Sequence, residues 1–341
     1  MIFFVSCDVT VSDPISYEEI GIYEYDISNM SQREIKKIGE NVLIPFIRYF
    51  NGSKKIIYGS ANSLVIINET GKEEIIDLDT LWIDEDFFSI SPNNRYLAFS
   101  GTIIPHSING GIEYKDNGLY LYDLELKSAK LLTNDSIKGI QFPVFSNSGE
   151  KLLFKTRAYN YAPSALCVCD LNGNNLKKIA FHDWDVLMYG CFSVDDKNVI
   201  FIDWPDKLKL YNFESNLTTT LIENLVLIDG LKIREYPLIN IDDHYLYYYA
   251  KETNSQCSQS HIYKMDFATK QTQLLNSGMA PMSFAGDYLL IRNAQCSEFE
   301  PSNLKLINNQ GTLMRTLSIG YRGAISYDNL KIVYIYSKKH P

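Results

Sequence analysis

Seven copies of one short phrase punctuate this chain, and their spacing limits what it can fold into. The phrase is clearest in Ser91-Pro92-Asn93-Asn94-Arg95-Tyr96-Leu97 and in Phe50-Asn51-Gly52-Ser53-Lys54-Lys55-Ile56, and the other copies end at Leu152, Val199, Leu246, Leu289 and Ile332. These end points, the anchors, lie roughly 41 to 55 residues apart, the length of four short strands with their turns.

Residue types change within each copy where the backbone has to change. Six before the anchor stand Ser91, Ser146, Ser193, Asn240, Ser283 and Ser326, with Phe50 the exception, side chains that hydrogen-bond nearby backbone and so favour turns. An apolar residue precedes each of them and ends a first strand. Pairs such as Asn93-Asn94, Ser148-Gly149 and Asp195-Asp196 then supply a tight hairpin. Two residues past the anchor the side chain is aromatic in six copies (Tyr58, Phe99, Phe154, Phe201, Tyr248, Tyr334) and Ile291 in the other, as expected where stacked sheets share a core. A third strand follows and ends in an acidic or amide corner: Asn68, Asp123, Asp170, Asn212, Asp266 and Asn308.

One further corner, Asp26, ends Ile22-Tyr23-Glu24-Tyr25-Asp26 with no first and second strand before it, while the copy at Ile332 has no third and fourth strand after it. The two halves complement each other. The expected fold is an all-β, seven-bladed β-propeller of four-stranded antiparallel blades, with N- and C-terminal strands sharing one blade and removing two open sheet edges. Seven blades of ~45 residues need about 315 residues, so residues 20–341 are expected to form one propeller domain behind a lead-in, residues 1–19.

The form Ser-Pro-Asn-Asn-Arg-Tyr-Leu-Ala-Phe at 91–99 resembles the WD-like repeat of TolB-like propellers, also found in prolyl oligopeptidase, dipeptidyl peptidase, tricorn and oligogalacturonate lyase. The resemblance runs from about Ile20 to Tyr336 and implies the fold, while its members differ in partners and chemistry. No Gly-x-Ser-x-Gly nucleophile elbow of the peptidase kind occurs.

Lysine and arginine number 32 against 41 acidic residues, a formal charge of −9 that disfavours nucleic acid as a partner. The opening Met1-Ile-Phe-Phe-Val-Ser-Cys7 resembles the end of a bacterial lipoprotein signal, which would make Cys7 the lipidated residue and the sole link to a membrane. The expected address is then the periplasm or cell envelope, with the cytoplasm as the alternative. Cys257 and Cys296 share a Gln-Cys-Ser triplet in matching loops and form a candidate disulfide, whereas Cys167, Cys169 and Cys191 read as buried free thiols.

Loops from second to third strands and connectors between blades share one face, and there the chain spends its extra residues, above all between Gly101 and Asn117. Candidate binding residues on that face are Trp82, His106, Tyr114, Tyr159, Tyr161, His182, Trp184 and Arg234, where aromatic bodies with polar tips suit peptide or sugar contact. His106, His182 and His261 map to the same face and are the candidate metal ligands, although they belong to different blades without close ligand spacing. No catalytic residue and no cofactor is assigned. The expected function is a non-catalytic propeller binding a protein, peptide or glycan; the alternative is a metal-dependent polysaccharide lyase or hydrolase.

Overall fold

The computed structural model describes residues 17–39, 47–60, 63–78, 81–103, 118–133, 137, 139–156, 163–183, 189–203, 207–223, 240–241, 244–251, 260–277, 279–285, 287–293, 302–326, 328 and 330–339. All regular structure among them is β. Five sheets are separate four-stranded antiparallel blades, built from residues 47–77, 81–131, 140–182, 189–222 and 240–277, and numbered 1 to 5 here. Blade 3 is representative: Ile140–Phe145, Lys151–Thr156, Ser164–Asp170 and Lys177–His182 follow one another in both sequence and space.

Blades 6 and 7 are joined, because Leu313–Ile325 is one strand with two partners. Its first part pairs with Ser302–Asn308 as the fourth strand of blade 6, and its last part pairs with Lys331–Lys339 as the first strand of blade 7. Blade 7 is completed by Tyr17–Asp26, lying against Lys331–Lys339 with Tyr23 opposite Tyr334, and then by Ser31–Gly39. The ring therefore closes with two strands from each end of the chain.

Seven apolar clusters hold the blades together, one at each junction. Alternation along a strand sends the anchor and the residue two beyond it toward the preceding blade, and the residue between them toward the next. Thus Ile57 of blade 1 meets Leu97 and Phe99 of blade 2, and Leu153 of blade 3 meets Val199 and Phe201 of blade 4. Val333 and Ile335 of blade 7 meet Ile56 and Tyr58 of blade 1, so the last junction is packed like the others. All seven anchors are at most 2% exposed. Fourth strands form the outer edge and carry the solvent-facing residues, as in Ser128–Leu131, exposed throughout.

The turn residues act as their chemistry predicts. Oγ of Ser91, Ser146, Ser193 and Ser326 accepts the amide five residues on, at 2.8 to 3.0 Å. Each corner carboxylate or amide accepts backbone N–H groups from the next few residues, for example Glu125 and Leu126 on Asp123 at 2.9 and 3.0 Å. Asn94, Gly149 and Asp196 occupy the same turn position and all have positive φ, at 61°, 75° and 57°.

Two of these positions also reach across to the preceding blade. Asn94 Oδ1 accepts the amide of Asn51 at 2.7 Å, and Asp196 Oδ1 accepts that of Asn147 at 2.7 Å. Between blades 2 and 3 the donor is replaced by Pro92 and the acceptor by Gly149, where a Cβ would lie 3.3 Å from the Pro92 ring. A hydrogen bond at two junctions thus becomes close packing at the third.

Candidate functional site

At the junction of blades 3 and 4 the alternating apolar pattern turns polar toward the long-loop face. On blade 3, Val168 and Leu166 point into the apolar cluster, and Ser164 comes next on the same side, paired with His182 at the end of the fourth strand. On blade 4, Val199 and Phe201 are followed on their side by Asp203, the last residue of Asn198–Asp203. The two ends meet, with His182 Nε2 2.5 Å from Asp203 Oδ1, and Oδ2 receives the ammonium of Lys209. Asp203 is 7% exposed. Burial raises its pKa, but the hydrogen bonds from Lys209 and His182 outweigh that and hold the carboxyl below the usual range.

Lys155 is a second buried charge at this junction. It follows Leu153 on the face toward blade 4, is 2% exposed, and donates from Nζ to Gln141 Oε1 at 3.3 Å. Gln141 lies at a β-bulge in the first strand of blade 3, where the pairing skips from Gln141 to Val144 and Phe142 adopts φ 53°. A bulky residue in that region costs about 1–3 kcal/mol, so the packing around it has to hold the bulge in place.

A His–Asp pair is half of a nucleophile-activating arrangement. The hydroxyl residue beside it, Ser164, is buried at 0% exposure. The pair joins the end of the fourth strand of blade 3 to the end of the second strand of blade 4. Thr156, Ser164, His182, Tyr189, Asp203 and Lys207 all end or begin strands on the long-loop side of blades 3 and 4. The segments between these ends contain Tyr159, Tyr161 and Trp184, which lie outside the described residues.

Of the other candidates, His106, Tyr114, Arg234, Cys7, Cys257 and Cys296 also lie outside the described residues. Trp82 falls inside the first strand of blade 2, Leu81–Ile90, opposite Thr102, rather than in a connector. A bulge between Ile83 and Phe88 lets this strand absorb the acidic run Asp84-Glu85-Asp86. His182 likewise belongs to a strand, and its carboxylate partner is Asp203 rather than the adjacent, exposed Asp183. His261 belongs to blade 5, with Nδ1 3.1 Å from Ser277 Oγ. Among the described residues no three His, Cys, Asp or Glu side chains are grouped to hold a metal ion. Cys167 and Cys169 are buried side by side in the cluster between blades 2 and 3.

Sequence reading missed Asp203, Lys209 and Lys155. The signal was present: a carboxylate directly after Val199-Ile200-Phe201-Ile202 and a lysine directly after Leu152-Leu153-Phe154 continue strands that are otherwise apolar.

No protein-family model matches the chain, and no curated protein matches it in sequence. Solved structures do match in shape. A TolB-type protein from Agrobacterium tumefaciens superposes with TM-score 0.53 at 14% identity, covering 95% of this chain and 99% of that one. The fold is that of a TolB-like propeller. Another TolB-like propeller, TolB from Acinetobacter baumannii, gives TM-score 0.50 at 14% identity, covering 95% of this chain and 65% of that one. Oligogalacturonate lyase from Vibrio parahaemolyticus gives 0.62 at 13% identity, covering 94% and 97%. No helix among the described residues is long and apolar enough to cross a membrane.

Proposed function

We propose that this TolB-like propeller is a binding protein that holds a protein, peptide or glycan on its long-loop face, centred over blades 3 and 4. The observation that carries this reading is the hydrogen-bonded cluster of His182, Asp203 and Lys209. Burying a carboxylate there stabilises the fold less than apolar packing would, and its effect is to fix the strand ends flanking Tyr159, Tyr161 and Trp184. Trp82, His106, Tyr114 and Arg234 extend the proposed face. Cys7 is the proposed lipid anchor, which would place the protein in the periplasm or cell envelope.

The test is a pull-down from envelope extract and a glycan array, run with the full chain and with Trp184→Ala, Tyr159→Ala and Asp203→Asn. Loss of the same partner in all three supports the reading. Retention of every partner by Trp184→Ala and Tyr159→Ala rejects it. A rise in thermal stability with Mn²⁺, Zn²⁺ or Ca²⁺ that disappears in His182→Ala would instead favour the metal-dependent lyase or hydrolase. Incorporation of a fatty-acid label that Cys7→Ser abolishes checks the anchor.

A further inference from the structure

Two residues before the corner, the third strand of five blades carries an aliphatic side chain: Ile66, Leu121, Val168, Leu210 and Leu306, each in or against a junction cluster. Blade 7 carries Glu24 at that position, 4% exposed. Blade 5 carries Lys264 at the same position, 7% exposed, so two blades place a buried charge where the other five place a hydrophobe, and such a charge is costly unless it is paired.

Glu24 organises cations. Its Oε1 accepts from Arg33 at 2.8 and 2.9 Å and from Lys331 at 3.0 Å, and its Oε2 accepts from the Tyr49 hydroxyl at 3.3 Å. Glu24 thus stands against two cations, while the wall of the adjoining pocket as a whole carries Glu24, Glu34 and Glu69 with Arg33, Lys54 and Lys331. Glu34, next after Arg33 on the strand, also lines the pocket and accepts from the Tyr23 hydroxyl at 2.8 Å. Beside this group the lower part of the junction of blades 7 and 1 is open, leaving that pocket, of about 310 Å³ and floored by Ile35, Ile56 and Ile67. That volume falls at the small end of ligand sites. Lys54 stands at its edge, and its carboxylate neighbour Glu69 is 3.8 Å away, beyond hydrogen-bond reach.

We propose that this seam pocket binds a small organic anion, its carboxylate or phosphate head received by Arg33, Lys331 and Lys54 and a short aliphatic body lying on the isoleucines. Arg33 uses Nε and one Nη on a single oxygen of Glu24, which leaves the remaining guanidinium edge for the ligand. Glu24 is a positioning residue: it aims the two cations and prevents their mutual repulsion from dispersing them. The site lies on the hairpin-turn side of blades 7 and 1, so its ligand is independent of the one proposed at blades 3 and 4.

The experiment is calorimetric titration of the full chain with 4-methylpentanoate, the uncharged 4-methylpentanamide, isobutyl phosphate and inorganic phosphate, with amide chemical shifts of Thr70 and Gly71 locating the site. At least one of the organic anions is expected to bind in the millimolar range or tighter, while the amide does not. The better of the carboxylate and isobutyl phosphate identifies the head group. Lys54→Gln, a change at a half-exposed turn that leaves the core untouched, is expected to weaken binding roughly tenfold, and Arg33→Gln more. Equal binding of acid and amide, no binding of either organic anion at millimolar concentration, or unchanged affinity in Lys54→Gln with Arg33→Gln would each overturn the proposal. Binding of inorganic phosphate alone, without shifts at Thr70 and Gly71, would overturn it as well.

Discussion

The amide of Asn147 donates to Asp196 Oδ1 at 2.7 Å, and that bond ties the hairpin turn of blade 3 to the turn of blade 4. Ser148 adds a second amide, to Oδ2 at 2.6 Å, so one carboxylate caps the tip of the neighbouring hairpin. Asp196→Gly keeps the positive φ accessible but removes these acceptors, and we expect it to cost about 1–2 kcal/mol in urea denaturation. Asp196→Asn, which copies Asn94 at the preceding equivalent latch, is expected to cost less than half as much.

Acid should loosen the corners. Asp26, Asp123 and Asp266 all titrate below the ordinary value of 3.8: hydrogen bonds from Ser28 and Thr269 hold down Asp26 and Asp266 respectively, and at Asp123 burial works upward but Arg95 and the backbone amides outweigh it. Because the folded-state pKa is depressed, the stability they contribute is fully present above 3.8 and is lost as pH falls through the lowered values. The midpoint of thermal unfolding should be flat above about pH 5 and should drop below pH 4. Asp123→Asn keeps the turn, as Asn68 and Asn308 do in other blades, and should flatten part of that drop.

Burial pushes the thiols of Cys167 and Cys169 up to about 12, and that of Cys191 up as well. At neutral pH these residues are neutral thiols; Cys167 and Cys169 are buried, whereas Cys191, expected from the sequence to be buried, is partly exposed. Iodoacetamide should leave Cys167 and Cys169 unmodified in the native protein and alkylate them within the unfolding time in denaturant, as read by peptide mass spectrometry, with Cys191 labelled sooner than either. Rapid native-state labelling of Cys167 would contradict the packing between blades 2 and 3.

Position within the blade should decide the cost of losing a leucine. Leu152, an anchor at 0% exposure, should cost about 2–5 kcal/mol as alanine. Leu217, on the outer strand at 63% exposure, should change stability by no more than about 0.5 kcal/mol. Equal effects would mean that the outer strands carry more of the core than their exposure implies.

The propeller was legible because its repeat obeys local rules. Ser91 and Asp123 stand where a hairpin and a corner need an acceptor, and Phe99 stands where two sheets meet. The candidate functional residues were less legible for the same reason. Glu24, Lys155 and Asp203 depart from the repeat inside strands rather than in loops, and there the apolar background hides a single charge unless the blades are aligned position by position. The pairing of His182 with Asp203 joins the fourth strand of one blade to the second strand of the next, a contact set by the packing of sheets and absent from local sequence spacing.

Glu24 and Lys331 form an ion pair across 307 residues of chain. A ribosome adding ~5–20 residues per second needs roughly 15 to 60 s to make the second partner after the first. For that interval Tyr17–Asp26 and Ser31–Gly39 have emerged but have no sheet to join, and their unpaired edges are open to other nascent chains. The last strand is therefore a timer as well as a clasp, and a ribosome stalled just short of Lys331 would release a protein with six blades in hand and a sticky first page.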